Sequence, residues 1–355
     1  MSATADDREQ RVLDIIETAR AKRPRFRDER ITLAHGAGGK ATQTLIEGLL
    51  APAFGIAELA DAAAVEDIAI TSDSFVVKPL QFPGGSIGEL AVNGTVNDLA
   101  MAGARPLAIT LAMILEEGLG ADVLRAEVDA IAAAAGAAGV AVIGGDTKVV
   151  ERGAADQMYL STTGIGRIDS RGQLAPHRIQ AGDQVLVSGP IGEHGTAIML
   201  ARNEFDLDAE IRSDTCSLWP AVDALLGVAG ADVHCLRDAT RGGVASVLNE
   251  LARAAGAAIV VSEAEVPVTP IVRAAAELLG IDPMYVANEG KLVAFVAPHA
   301  AAAAVAALRA VPGCERAVAI GEVRREPPGM VLVDTSFGGR RVMDQLVGDP
   351  LPRIC

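Results

Sequence analysis

Aromatic residues are nearly missing from this 355-residue chain: one Trp, two Tyr and seven Phe, 3% of the total. With so few rings the core must be built from Ala, Val, Leu and Ile, and aromatic and basic residues do not interleave into a platform for nucleic-acid bases. Basic charge is short as well. Against 46 acidic groups stand 31 basic ones, and a net charge of −15 disfavours any phosphate backbone as partner. Four cysteines without a C-x-x-C spacing exclude a zinc knuckle, a redox pair and a disulfide framework. The five histidines have no metal-ligand spacing. No uncharged apolar run of about 18 residues occurs, and the densely charged first 30 residues contain no signal-peptide core. These absences describe a soluble, cytoplasmic protein that engages neither membrane nor nucleic acid.

The length suits about two domains. Residues 1–30 form a charged extension, with helical spacing at Val12, Ile15, Ile16 and Ala19. Short β-like runs follow at Ile31–Ala34, Ile68–Thr71, Leu107–Leu115, Val140–Ile143 and Tyr159–Gly166, with a helix over Ala121–Ala138 that Asp122 could cap. A polar linker at 169–182 separates the domain at 31–168 from one at 183–347. There the pattern gives strands at Asp183–Ser188, Ile259–Val261, Leu292–Val296, Ala317–Val323 and Met330–Val333. Helices are expected at Thr196–Ala201, Val244–Ala255, Ile271–Leu279 and His299–Arg309. Mixed elements in both halves predict two α+β or α/β domains. The tail at 348–355 holds two prolines and is not helical.

Chemistry-bearing residues gather beside glycines. His35–Lys40 (HGAGGK) can wrap a phosphate in its amides around Gly38, Gly39 and Lys40, or can be a plain turn. Asp73 in TSDSFVV follows an apolar strand, where it either reaches a ligand or forms a turn. Asn97 and Asp98 in NDLAMAGA stand at the head of a small-residue helix; capping accounts for one of them. Gly144, Gly145, Asp146, Thr147 and Lys148 follow the run VAVI. Asp238 opens DATRGG, a metal, phosphate or capping geometry, and Glu289 precedes a buried-looking strand in NEGK. Lysine is informative by scarcity: only five occur beside 26 arginines, and Lys40, Lys148 and Lys291 belong to glycine motifs. Several glycine-adjacent carboxylates and few histidines suit magnesium-bridged phosphates better than zinc.

HGAGGK, TSDSFVV, NDLAMAGA, GGDTKVV, DATRGGV, NEGK and the terminal PRIC, in that order, resemble the HypE family of hydrogenase maturation factors. These are carbamoyl dehydratases of the superfamily that includes aminoimidazole ribonucleotide synthetase and selenophosphate synthetase. The resemblance covers about residues 30–355, and PRIC is its discriminating element. It implies a two-domain PurM-like fold, with an N-terminal α+β domain that forms a barrel in a homodimer and a C-terminal α/β domain. ATP and Mg2+ are implied between them, held by Asp73, Asp98 and Asp238 with Asp61 as a fourth ligand; Glu66 and Asp67 compete for that last place. It further implies that Cys355 receives a carbamoyl group from a HypF-type carbamoyltransferase. With Lys148 and Glu289 nearby, ATP-dependent dehydration would then give a thiocyanate, whose cyanide passes to iron on a HypC–HypD scaffold. Two alternatives remain: a small-molecule ATP-dependent synthetase of the same superfamily, and a non-catalytic scaffold docking through its tail. The missing cysteine near HGAGGK counts against a selenophosphate synthetase.

Overall fold

The computed structural model describes residues 25–56, 59–202, 210–346, 348 and 353–355. The helical spacing expected between Val12 and Ala19 lies outside them.

The first half is built on a five-stranded sheet. Its strands are β1 (Ala63–Val65), β2 (Ile68–Phe75), β5 (Ala104–Glu116), β6 (Ala141–Val150) and β7 (Met158–Ile168), in the order β1-β2-β7-β5-β6. A small hairpin, β3 (Gln81–Phe82) and β4 (Gly85–Ser86), stands apart. Neighbours are antiparallel except β5 and β6, which run parallel. A parallel pair needs a crossover, supplied by the helix Ala121–Ala138. Its N-cap is Gly120; Asp122 falls inside the first turn. Alternation along β7, with Met158, Leu160 and Thr162 buried, turns one face of the sheet onto the helix Ile87–Met101.

That central helix is buried almost all round, because it is enclosed on every side. It packs on β2, β5 and β7, on the crossover helix, and on elements of the second half. The second half carries a seven-stranded sheet of β8 (Gln184–Val187), β9 (Val233–Asp238), β10 (Ala258–Ser262), β11 (Leu292–Val296), β12 (Val318–Arg324), β13 (Val331–Asp334) and β14 (Arg340–Met343). The order is β14-β13-β10-β12-β8-β11-β9. Helices Glu193–Ala201, Trp219–Val228, Gly243–Ala255, Pro270–Leu279 and Ala301–Arg309 complete it. Phe295 and Val293 of β11, an interior strand paired on both sides, are wholly buried.

Four expectations are corrected. Ile31–Ala34 is not a strand: the Thr32 amide donates to His35 Nδ1 and the chain closes into a tight turn over Leu33–Gly36. Asp73 lies within β2, not after its end. Asn97 and Asp98 occupy the last turn of Ile87–Met101, where neither caps an N-terminus. GGDTK lies inside β6, which runs on past the expected strand end at Ile143. Opposite β5, Ile109 pairs with Val142 and Thr110 with Gly144, so Ile143 is the extra residue of a bulge. Next to it, a Cβ on Gly145 would stand 1.8 Å from the Leu111 carbonyl oxygen. Close backbone approach is a sufficient reason for that glycine.

Candidate active site

The end of β9 delivers Asp238, the last turn of the central helix delivers Asp98, and the segment entering β1 delivers Asp61. Carboxylate oxygens of all three lie within 4.8 Å of one another. Arg237 on β9 donates to Asp61 and holds it in place. Thr71 Oγ1 on β2 donates to Asp98 at 2.7 Å. Burial together with like charge makes ionisation costly. Asp98 is pushed well above the ordinary carboxylate range, first by desolvation and then by Asp238, Asp61 and Asp73. Asp238 rises to about 8, by desolvation and the charge of Asp61.

Asp73 borders this trio without joining it: its Oδ1 accepts the Ser74 amide at 2.7 Å, and its charge is felt by Asp98, Asp238 and Glu289. Glu66 and Asp67 form the exposed turn between β1 and β2, and Asp67 stands 3.9 Å from Arg167. Asp61 is therefore the carboxylate that converges, although ADAAAVED gave no way to choose.

Glu289 is buried, and its Oε1 has no hydrogen-bond partner among the described residues. Desolvation, followed by the charges of Asp238, Asp214 and Asp73, lifts it well above its ordinary value. Asp214 anchors this loop, accepting the Glu289 amide at 3.0 Å and the Lys291 ammonium at 3.0 Å. Gly290 lies so close that a Cβ there would sit 1.8 Å from the Asp214 carbonyl oxygen. Gly290→Ala is expected to cost about 1–3 kcal/mol or more through displaced backbone. Urea unfolding checks this; a midpoint equal to the parent's would contradict the packing argument.

The other expected residues take different places. The amide of Asn97 is spent on backbone: Nδ2 donates to the Cys216 and Glu289 carbonyls at 3.0 and 3.3 Å, and Oδ1 accepts from Leu218 at 2.7 Å. It clamps the two halves together instead of facing a ligand. Gly38 packs on Arg241, which donates to the Gly36 carbonyl, so the HGAGGK loop abuts the loop that follows Asp238. Lys40 Nζ pairs with Asp344 at 2.7 Å. On β6, Gly144, Gly145, Asp146, Thr147 and Lys148 are all exposed, and Lys148 pairs with Asp146 at 2.6 Å. Register runs from Asp73 through Thr162 and Leu111 to Gly145. Three strand spacings, roughly 14 Å, thus separate β6 from Asp73 within one chain.

The C-terminus is docked. The Cys355 carbonyl accepts the Val76 amide at 3.1 Å, and Ile354 is 3% exposed within a core that both halves share. Burying such a side chain is worth about 1.5–3 kcal/mol. Val76 is three residues beyond Asp73 along the same extended segment, roughly 10 Å. Sequence reasoning missed Asp214, Arg237 and the tail's receptor residues. Each owes its role to contacts distant in the chain; Val76 stands inside TSDSFVV, but nothing in that motif shows that it receives the tail.

Two family models match, the N-terminal domain of AIR synthase related proteins over residues 59–168 and the C-terminal domain over 180–334. Carbamoyl dehydratase HypE of Rhodobacter capsulatus is 47% identical over 339 residues, which span 93% of this chain and 99% of that protein. The Escherichia coli K12 protein of the same name is 44% identical over 337 residues, 92% and 99% of the respective lengths. A solved HypE–HypF complex superposes at TM-score 0.82 with 42% identity, covering 85% of this chain and 99% of the other. A HypE in complex with ATP gives 0.78 and 42%, covering 92% and 100%. A thiamine monophosphate kinase of Aquifex aeolicus, 18% identical with TM-score 0.61 over 84% and 96%, shares the fold.

Proposed function

The chain belongs to the HypE family of carbamoyl dehydratases, and from that premise we propose that it uses magnesium and ATP to dehydrate an S-carbamoyl group on its own Cys355. The product is a thiocyanate that supplies cyanide ligands for the nickel–iron hydrogenase active site. The observation that carries this reading is the docking of the chain's own Cys355 on the segment that extends β2, the strand beside a largely enclosed carboxylate cluster.

The carboxylates fit a hard divalent cation. Three carboxylates within 4.8 Å of one another, Asp238 buried and Asp61 and Asp98 partly so, cannot all ionise by themselves and form an all-oxygen donor set. Asp61, Asp98 and Asp238 would hold magnesium, with Asp73 at its margin. When bound, magnesium supplies charge neutralisation for the triphosphate. The amide oxygen is a poor leaving group until the γ-phosphoryl of ATP is transferred to it. Loss of both nitrogen protons then lets the nitrogen electrons form the C≡N bond as phosphate departs. In sum, RS–C(O)NH2 and ATP give RS–C≡N, ADP, phosphate and a proton. Glu289, buried and with high proton affinity, suits the base.

Lys148 serves this site from a second copy. In support, β6 exposes Val142, Ile143 and Val149 and neighbouring β5 exposes Ile114, an apolar edge that a homodimeric barrel would cover. A HypF-type transferase loads Cys355, and a HypC–HypD scaffold takes the cyanide. Mass spectrometry of the tail peptide tests the reaction: carbamoylated Cys355 loses the mass of one water only when ATP is added. Retention of the carbamoyl mass under turnover conditions would overturn the assignment.

The cluster also sets a pH dependence. Asp238 has a folded pKa of about 8 against an ordinary 3.8, so the folded state binds its proton more tightly. Without a cation, this contribution to stability is complete below the ordinary value and is lost as pH rises through about 8. Magnesium competes with that proton. The rise in melting temperature on adding magnesium is expected to be larger at about pH 8 than at about pH 5. Equal shifts at both pH values would contradict the proposed ligand set.

A further inference from the structure

An antiparallel added strand satisfies only every second residue. Here Cys355 pairs with Val76 and Arg353 with Lys78, whose amides donate to the two carbonyls at 3.1 and 3.3 Å. Ile354 lies between them, so its carbonyl turns away from the receiving segment, Val76 to Lys78, which continues from the end of β2. It is buried, and an unpaired buried carbonyl is costly. The structure supplies a partner from elsewhere: His194 Nε2, 2.8 Å away, at the start of the helix Glu193–Ala201.

The ring is fully buried, with the edge of one aromatic system toward the other against Phe82 at a centroid distance of 5.5 Å. Its Nδ1 lies 2.8 Å from Ser213 Oγ. A carbonyl can only accept, so Nε2 carries the hydrogen and Nδ1 accepts from Ser213. Arg202 adds a donor to the Arg353 carbonyl. The side chains read the sequence as well. Ile354 enters the apolar core with Val77, Ile198 and Met199. Arg353 donates to Asp156 at 2.7 Å and to the Val76 carbonyl at 3.2 Å, while Lys78 shares Asp156 at 2.8 Å.

We propose that His194, oriented by Ser213, is a positioning residue that fixes the register in which Arg353 and Ile354 dock, and so sets where Cys355 is delivered. A slip of one residue would expel Ile354 from its pocket and move the cysteine to the other face. This rests on Cys355 being the carbamoyl carrier. The specificity follows: an arginine and a branched apolar residue must precede the terminal cysteine.

The test uses the full-length chain. His194→Ala and His194→Gln are loaded with carbamoyl, and dehydration is followed in a single turnover with ATP. In parallel, alkylation of unloaded Cys355 by iodoacetamide is read on the tail peptide. For His194→Ala, unchanged carbamoyl loading, unchanged KM for ATP, dehydration about tenfold slower and alkylation several-fold faster are expected. Glutamine can place an N–H where Nε2 stood and should restore most of both. Arg353→Ala, at a part-buried side chain close to the chain end, should also speed alkylation without a folding defect. His194→Ala behaving like the parent in both assays overturns the proposal, as does failure of glutamine to rescue. If the parent itself yields no thiocyanate, the carrier reading falls, and alkylation alone decides the register claim.

Discussion

Replacing Cys355 by alanine is expected to reduce carbamoyl acceptance and thiocyanate formation to background, the largest single effect available in this chain. The other thiols are poorer acceptors. Cys235 and Cys314 are buried; Cys216 is an exposed residue, but desolvation of its thiol, only partly offset by Lys291, pushes it up to about 11. Only the thiolate attacks well, so a thiol held that high is a poor acceptor. Alanine at each of these three positions should leave the tail reaction largely intact. Residues appended after Cys355 should slow dehydration by about tenfold or more, since Ile354 and the Cys355 carbonyl are already seated and an extension must leave along the site. Tail-peptide mass spectra decide. An extended chain that dehydrates at the parent rate would show that the docked pose is not the reacting one.

Local pattern disclosed most of the framework. The crossover helix over Ala121–Ala138 has the predicted bounds, because its apolar spacing and the flanking glycines act within the helix itself. Strand β11 likewise matches Leu292–Val296. Two missed elements show the limit: β9 (VHCLRD) alternates in no simple way, and β14 (RRVM) is polar, yet each is fixed by its neighbours in the sheet. Tertiary pairing overrides local preference there. The candidate site divides in the same manner. Asp98 and Asp238 were visible beside small residues, whereas choosing Asp61 over Glu66 and Asp67 needed the fold to show which carboxylate meets Arg237. Asn97 was visible but misread, since a buried amide that clamps three backbone groups carries the same local signature as one that binds a ligand. His194 left no signal at all, because its partner stands 160 residues away.

Glu289→Gln is expected to keep carbamoyl loading and ATP binding while slowing dehydration by about 10²–10⁴-fold. Glutamine preserves the volume and lacks the basic oxygen, so loss of activity in a folded variant isolates the proton-accepting role. The pH profile separates that role from packing. Burial raises the Glu289 carboxyl, with Asp238, Asp214 and Asp73 adding repulsion, so the group stays protonated to higher pH than an ordinary glutamate. A base works only when deprotonated; the parent's single-turnover rate should therefore rise with pH through that elevated value, and the rising limb should vanish in the glutamine variant. Bound magnesium adds positive charge to the cluster and should draw the limb toward lower pH as its concentration increases. A variant that retains both the rate and the limb would remove Glu289 from the chemistry. A variant that loses the rate but keeps the limb would assign the titration to one of the neighbouring carboxylates, of which Asp238, at about 8, is the first to examine by substitution with asparagine.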